Sequence, residues 1–359
     1  RKDPVQTRPL GATGLRVSAL AFGTMTFGGG RSDFFRAIGD TGDAEARRMV
    51  DMCLDAGVNL FDTADAYTDG KAEEILGRAL APRREEALIA TKLHARTGPG
   101  PNDLGASRHH VIAACEASLR RLGTDRIDLL QLHGFDAATP LEETLRALDD
   151  LVRAGKVRYI GCSNYSAWHA MKALGTSERE GLERFACMQA YYSAAARDLE
   201  WELVPLALDQ GLGVLVYSPL SGGLLTGKFR RGEADPEGTR RAQMGRSPGI
   251  YDLERAFDVV EALEAVAAER GASVAQAALA WLLRRPAVTS LILGARTPEQ
   301  LADILGAADW VMSDEDVARV ERAGRVPPPY PQWHQLLYNT ARMSEPWMAE
   351  AAEGARPPG

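Results

Sequence analysis

The chain has 359 residues, 45% of them hydrophobic and 25% charged, a globular composition that excludes a collagen-like, disulfide-scaffold or largely disordered protein. Its net charge of -7 argues against a nucleic-acid backbone as partner, because phosphate binding calls for clustered positive surface. With no apolar run of about 18 residues, a membrane-spanning helix is not expected either.

In chain order, residues 8–14 are turn-rich, 15–17 are extended and 18–24 read as a first buried strand, followed by a Gly- and Asp-rich loop over 28–42. Asp43 then caps a helix running to about residue 56. The alternation continues with strands at 58–61, 87–91, 126–132, 157–162, 185–189, 212–216 and 288–293. Between them the spacing predicts helices at about 71–81, 107–122 behind a Ser107 cap, 140–153, 166–174, 200–209, 251–270, 273–284 and 298–305. A parallel strand pair needs a crossover, and the crossover helix must cover the sheet. Eight such units predict an α/β fold, a closed (β/α)8 TIM barrel, rather than an open doubly wound sheet, since Gly23 to Gly30 lacks the Gly-x-Gly-x-x-Gly turn of the latter. The barrel is expected over 8–325 with an extended N-terminal cap, and a C-terminal extension over 326–359 starts at the Pro-rich run 327–331.

In such a barrel the strand C-termini build the functional face. Here they carry Thr24, Asp62, Lys92, His133, Ser163 with Asn164, Gln189, Tyr217 with Ser218, and Gly294 with Arg296. Asp62, Lys92 and His133 form a reactive set with Tyr67. An ammonium stabilises a nearby phenolate, and a carboxylate keeps that ammonium charged in a dry site. The set describes a general acid that protonates an oxygen gaining negative charge. Clustered metal ligands, a nucleophile beside a base and a carboxylate pair for glycoside hydrolysis are all missing. A carbonyl reduction would need its hydride from a cofactor.

Phe61-Asp62-Thr63-Ala64 with Tyr67, Thr91-Lys92, Leu130-Gln131-Leu132-His133, Gly161-Cys162-Ser163-Asn164 and Tyr217-Ser218-Pro219-Leu220 resemble the aldo-keto reductases, in the branch that includes the potassium-channel β subunits. The resemblance spans Leu10 to Leu305. It implies an NADPH-dependent reductase of aldehydes or ketones with Asp62, Tyr67, Lys92 and His133 as catalytic tetrad. It implies that Ser163, Asn164 and Gln189 hold the nicotinamide carboxamide and that Tyr217 stacks on its ring. Ser218, Pro219, Leu220, Gly222, Leu224 and Lys228 would follow the pyrophosphate, with Thr24, Met25 and Asp62 also assigned to the cofactor. After the eighth strand, Gly294 and Arg296 are candidates for the 2′-phosphate, with Arg240 as a second cation and Gln300 and Asp303 beside the adenine. Ile304 stands where relatives usually have an adenine-binding asparagine.

Other readings stay open. The resemblance to channel β subunits also allows, as the alternative, an NADPH-binding, redox-sensing or regulatory subunit with little turnover, although the intact tetrad speaks against loss of chemistry. Met25, Phe27, Phe135, Trp168 and Trp333 either line a substrate pocket or pack. The tail with Trp333, Tyr338 and Trp347 folds over the barrel mouth or makes a subunit contact, which leaves a homo-oligomer open. His109 and His110 fall in a first helical turn and are expected to face solvent. Cys53, Cys115, Cys162 and Cys187 have no Cys-x-x-Cys spacing and read as buried thiols in a reducing compartment, so a cytoplasmic protein acting on a small carbonyl or alcohol is expected, with no metal.

Overall fold

The eight apolar runs are rich in Val, Ile, Leu and Ala, and each is followed by a helix whose apolar stripe needs a sheet to rest on, so the strands pair in parallel with the helices outside. In the computed structural model, which describes residues 4–30, 33–245 and 249–339, the result is a closed barrel. An antiparallel hairpin, β1 (Thr7–Pro9) and β2 (Arg16–Ser18), precedes it. The barrel strands are β3 (Leu20–Gly23), β4 (Leu60–Asp62), β5 (Leu88–Leu93), β6 (Ile127–Leu132), β7 (Val157–Ser163), β8 (Phe185–Tyr191), β9 (Gly213–Tyr217) and β10 (Val288–Leu293), with β10 closing on β3. The helices are α1 (Asp33–Ile38), α2 (Asp43–Asp55), α3 (Lys71–Leu80), α4 (Arg108–Leu122), α5 (Leu141–Arg153), α6 (Ala167–Glu180) and α7 (Leu203–Gln210). They continue with α8 (Arg240–Met244), α9 (Leu253–Arg270), α10 (Val274–Leu283), α11 (Pro298–Leu305), α12 (Asp314–Ala323) and α13 (Gln332–Tyr338). The architecture is the expected (β/α)8 barrel. Among the described residues no helix is long and apolar enough to cross a membrane.

Several local expectations are corrected. The loop expected over 28–42 contains α1, and the long loop after β9 contains α8. Asp43 is the first residue of α2 rather than its cap; Gly42 takes the cap position, and the Asp43 carboxylate accepts from Arg78 Nε at 2.6 Å. Ser107 does cap α4, its Oγ accepting from the His110 N–H at 3.3 Å. His110 is buried instead of exposed, because the third residue of that helix turns toward the core, while His109 faces solvent. All four cysteines are free and buried. Trp347 lies outside the described residues. Nearer the barrel, α13 of the tail docks on the segment after β8 through Gln332, which donates to Trp201 O at 3.3 Å and to the Glu202 carboxylate.

Strand periodicity decides which side chains enter the barrel, since alternate residues share a face. Leu60, Ala90, Leu129, Cys187 and Leu215 pack inside it, together with Leu10 and Val17 of the hairpin region. Leu10 and Val17 plug the end opposite the strand C-termini. The Gly11 turn beside them is tight: its φ is +58°, and a Cβ there would lie 2.4 Å from Gly211 O.

Candidate active site

Two residues beyond each interior apolar residue, the same inward face becomes polar. Leu60 leads to Asp62, Ala90 to Lys92, Leu129 to Gln131 and then His133, Cys187 to Gln189, and Leu215 to Tyr217. The pairing register levels them: Asp62 lies across from Ala90, Lys92 from Gln131, and Ser163 from Gln189. Room for the Gln131 amide comes from Gly161, where a Cβ would lie 2.8 Å from Cys187 Sγ and 3.4 Å from Gln131 Cγ.

Lys92 is 1% exposed and its Nζ has three partners: Asp62 Oδ1 at 2.5 Å, Thr63 O at 2.8 Å and Tyr67 OH at 3.4 Å. The other Asp62 oxygen accepts from Gln189 Nε2 at 2.7 Å and Gln131 Nε2 at 3.3 Å. A buried carboxylate and ammonium are thus each hydrogen-bonded on more than one side, the condition under which a buried pair is tolerated. Burial pushes the Lys92 ammonium down, and Asp62 and Tyr67 push it up by more, so it is held above the ordinary lysine value. The Tyr67 phenol moves up. Burial raises it, Lys92 draws it back only part of the way, and Asp62 adds to the rise. The net shift is upward, against the lowering that Lys92 alone would give, and the phenol keeps the proton that a general acid requires.

The His133 ring meets Tyr67 edge-on, with centroids 5.9 Å apart and planes at 73°. Burial, Lys92 and His94 pull the imidazole down to about 3, so it is neutral, and its Nδ1 is buried without a partner among the described residues. A neutral imidazole beside a phenol can orient an oxygen by hydrogen bonding but cannot carry a positive charge to it.

Around this centre the remaining strand ends brace one another. Asn164, in the left-handed region at φ 57°, donates through Nδ2 to His133 O at 2.9 Å and to Ser163 Oγ at 3.2 Å, and its Oδ1 accepts from Tyr217 OH at 2.9 Å. Thr24 Oγ1 donates to Asp62 O at 3.2 Å, and Met25 is half-buried next to it. Ser218 begins a reversal at φ 53°, passing through Pro219 and Leu220 into the 3-10 segment Ser221–Thr226, where Gly222 and Gly223 are left-handed at 67° and 98°. Leu224, expected along the pyrophosphate, is fully buried in the core.

The cations gather beside that reversal. A Cβ on Gly223 would lie 3.0 Å from Lys228 Nζ, and one on Gly222 would lie 4.0 Å from Arg240 Cδ. Burial and then the charges of Arg296 and Arg240 lower Lys228; burial and then Arg296 lower Arg240, whose buried Nε has no partner among the described residues. Three mutually repelling cations around a glycine turn fit an anionic group. Arg296 is at the same time occupied: Nε donates to Ile38 O at 2.9 Å, Nη2 to Ala37 O at 2.5 Å and Nη1 to Gly238 O at 3.4 Å. Gln300 folds back to accept from the Arg296 N–H at 2.9 Å. Asp303 accepts from Ser273 Oγ and Gln276 Nε2, both at 3.0 Å, tying α11 to α10. Ile304 is buried core, and Gly294 is open to solvent.

Of the aromatic candidates, Phe27 is core against Phe22, while Phe135 stacks on His169 at 3.6 Å beside the exposed Trp168. Trp333 packs with Tyr330 and His334. Asp65, which motif reading passed over, is buried between Asp62 and Tyr67; its spacing from Asp62 was the available signal. Among the described residues no group of three or more His, Cys, Asp or Glu could hold a metal ion.

Residues 19–325 match the Aldo/keto reductase family. The chain is 39% identical to an uncharacterized oxidoreductase, YrpG, of Bacillus subtilis, over 87% of this chain and 93% of that protein. It is 38% identical to a probable voltage-gated potassium channel subunit beta of Arabidopsis thaliana, covering 86% and 92%. A versiconal hemiacetal acetate reductase of Aspergillus parasiticus is 31% identical, with 87% and 95% covered. A closed eight-stranded barrel with this polar rim and these relatives belongs to the Aldo/keto reductase family of oxidoreductases.

Proposed function

We propose that the protein reduces an aldehyde or ketone to an alcohol with NADPH, reversibly, and that Tyr67 is the proton donor. The observation that carries this reading is the buried chain Asp62–Lys92–Tyr67, in which an ammonium fixed by a carboxylate points at a phenol that keeps its proton. When bound, the nicotinamide supplies the hydride that the carbonyl carbon accepts. Tyr67 holds the proton that the oxygen requires. As negative charge grows on that oxygen and the phenol begins to ionise, the Lys92 ammonium stabilises both. His133, neutral, orients the oxygen by a hydrogen bond, and Asp62 keeps Lys92 charged and in place.

Gln189 spends its NH2 group on Asp62 and Gln131, so what it offers a carboxamide is its oxygen. Ser163 would bind the same group, with Asn164 holding the Tyr217 ring for stacking. Lys228, Arg240 and Arg296, with the turn at Gly222, would take the phosphates. Substituting Tyr67→Phe is expected to lower carbonyl reduction about 100- to 10,000-fold while fluorescence titration shows NADPH affinity within about twofold of the parent. A variant retaining more than about a tenth of the parent rate removes Tyr67 from this role.

The similarity to the Arabidopsis protein named a channel β subunit supports a second reading, an NADPH-binding regulatory subunit with little turnover. Rapid-mixing oxidation of bound NADPH by a panel of aldehydes and ketones, compared with the steady-state rate, separates the two. Fast multiple turnover with any member favours the enzyme.

A further inference from the structure

Behind the Asp62–Tyr67 loop lies a group of charges that this proton transfer does not use. The Asp65 N–H donates to Lys92 O at 3.0 Å, extending the β4–β5 pairing past the strand end. Its side chain is 2% exposed, and neither carboxylate oxygen accepts a well-formed hydrogen bond among the described residues. Three charges face it: Glu73 from α3, Arg121 from α4 and Lys92 from β5. Glu73, fully buried, accepts from Thr91 Oγ1 at 2.5 Å and Arg121 Nε at 2.6 Å, and Cys115 of α4 also faces it. With Lys92 paired to Asp62 and Arg121 ion-paired to Glu73 at 2.6 Å, the Asp65 carboxyl is left with Arg121 only as a longer-range charge.

Arg121 also touches the turn that follows Tyr67. Thr68, Asp69 and Gly70 have φ of 49°, 57° and 88°. Successive left-handed residues, two of them with side chains, are costly and persist only where the surroundings enforce them. A Cβ on Gly70 would lie 2.7 Å from Arg121 Cδ, so the arginine stem packs directly on the turn. On the other side Thr68 Oγ1 donates to Phe27 O at 2.9 Å.

Building on the reading of Tyr67 as proton donor, we propose that Asp65 is a positioning residue: neutral, it leaves Arg121 to Glu73 and the turn; ionised, it competes for Arg121 and loosens the turn that holds the Tyr67 phenol. Burial and then Glu73 raise the Asp65 carboxyl to about 7 against the pull of Arg121, the Ala66 N–H and Lys92, so the change of state falls in the neutral range. The folded chain then binds more protons than the unfolded one between the ordinary carboxyl value and about 7, and this group makes stability decline as pH rises through that window. An ionised Asp65 also raises the phenol, which makes it a weaker donor.

The test uses the full chain with NADPH. In the parent, kcat for carbonyl reduction should fall about three- to tenfold between about pH 6 and about pH 8, while the thermal midpoint should decline from about pH 4 to about pH 7 and level off above it. Asp65→Asn removes the titration with little change in shape, and both declines should flatten while NADPH affinity stays within about twofold. Glu73→Gln removes the repelling charge and should move the midpoint of both declines to lower pH. Parallel profiles for the parent and Asp65→Asn overturn the proposal, as does an unmoved midpoint in Glu73→Gln. A Tyr67→Phe variant that stays active sinks the proton-donor reading instead. The two failures are told apart because the thermal profile does not depend on the chemistry.

Discussion

Asp62 and Lys92 illustrate how much one buried pair can hold. The ammonium is shared among a carboxylate, a main-chain carbonyl and a phenol, so removing it affects stability and chemistry together. Lys92→Met leaves Asp62 buried with only amide partners, and breaking such a pair costs about 3–5 kcal/mol, measurable by urea denaturation. The same change removes the charge that opposes the rise of the Tyr67 phenol, so reduction should fall by about two orders of magnitude or more. An unaltered rate and pH profile would make Lys92 structural only. Because the folded Lys92 value lies above the ordinary one, its contribution to stability in the parent is complete at neutral pH and is lost only as pH rises through the raised value. Neutral-range pH effects in the parent therefore have to come from another group.

At the scale of elements, the segment after β10 links two loops that come from far apart in the chain. Arg296 donates to the last carbonyls of α1 and to Gly238 just before α8, so one guanidinium joins the β3 and β9 connections. The cation was legible in the sequence as a candidate phosphate ligand; its second set of partners was not, because α1 had been read as loop. Arg296→Ala is expected to shrink the preference for NADPH over NADH about tenfold or more, as loss of a charge-assisted contact should. It should also raise amide hydrogen exchange across residues 33–38. An unchanged cofactor preference with faster exchange would leave Arg296 as a tether between loops alone.

For the whole molecule, the two ends of the barrel divide the work. Leu10 and Val17 seal the end opposite the site, and Leu10 is fully buried. Leu10→Ala should cost about 2–5 kcal/mol by denaturation, the usual range for a buried leucine, while kcat/KM stays within about twofold at a temperature where the variant is folded. A loss below about 1 kcal/mol would mean that the plug collapses around the missing side chain.

The sequence by itself determined the barrel, the order of its eight strands and the identity of most polar residues at its mouth. Those features are local: alternating apolar runs specify strands and helices, and a two-residue period carries the inward face from Leu60 to Asp62 and from Ala90 to Lys92. Only the tertiary structure decided that burial outweighs Lys92 at the Tyr67 phenol, that Arg296 is held by α1, and that Asp65 is buried facing the charges of Glu73 and Arg121. Each depends on burial and on charges brought together from distant segments, 48 residues apart for Arg121 and Glu73 and 259 for Arg296 and Ala37. Desolvation and Coulomb energy follow distance in space, and spacing along the chain does not supply that distance.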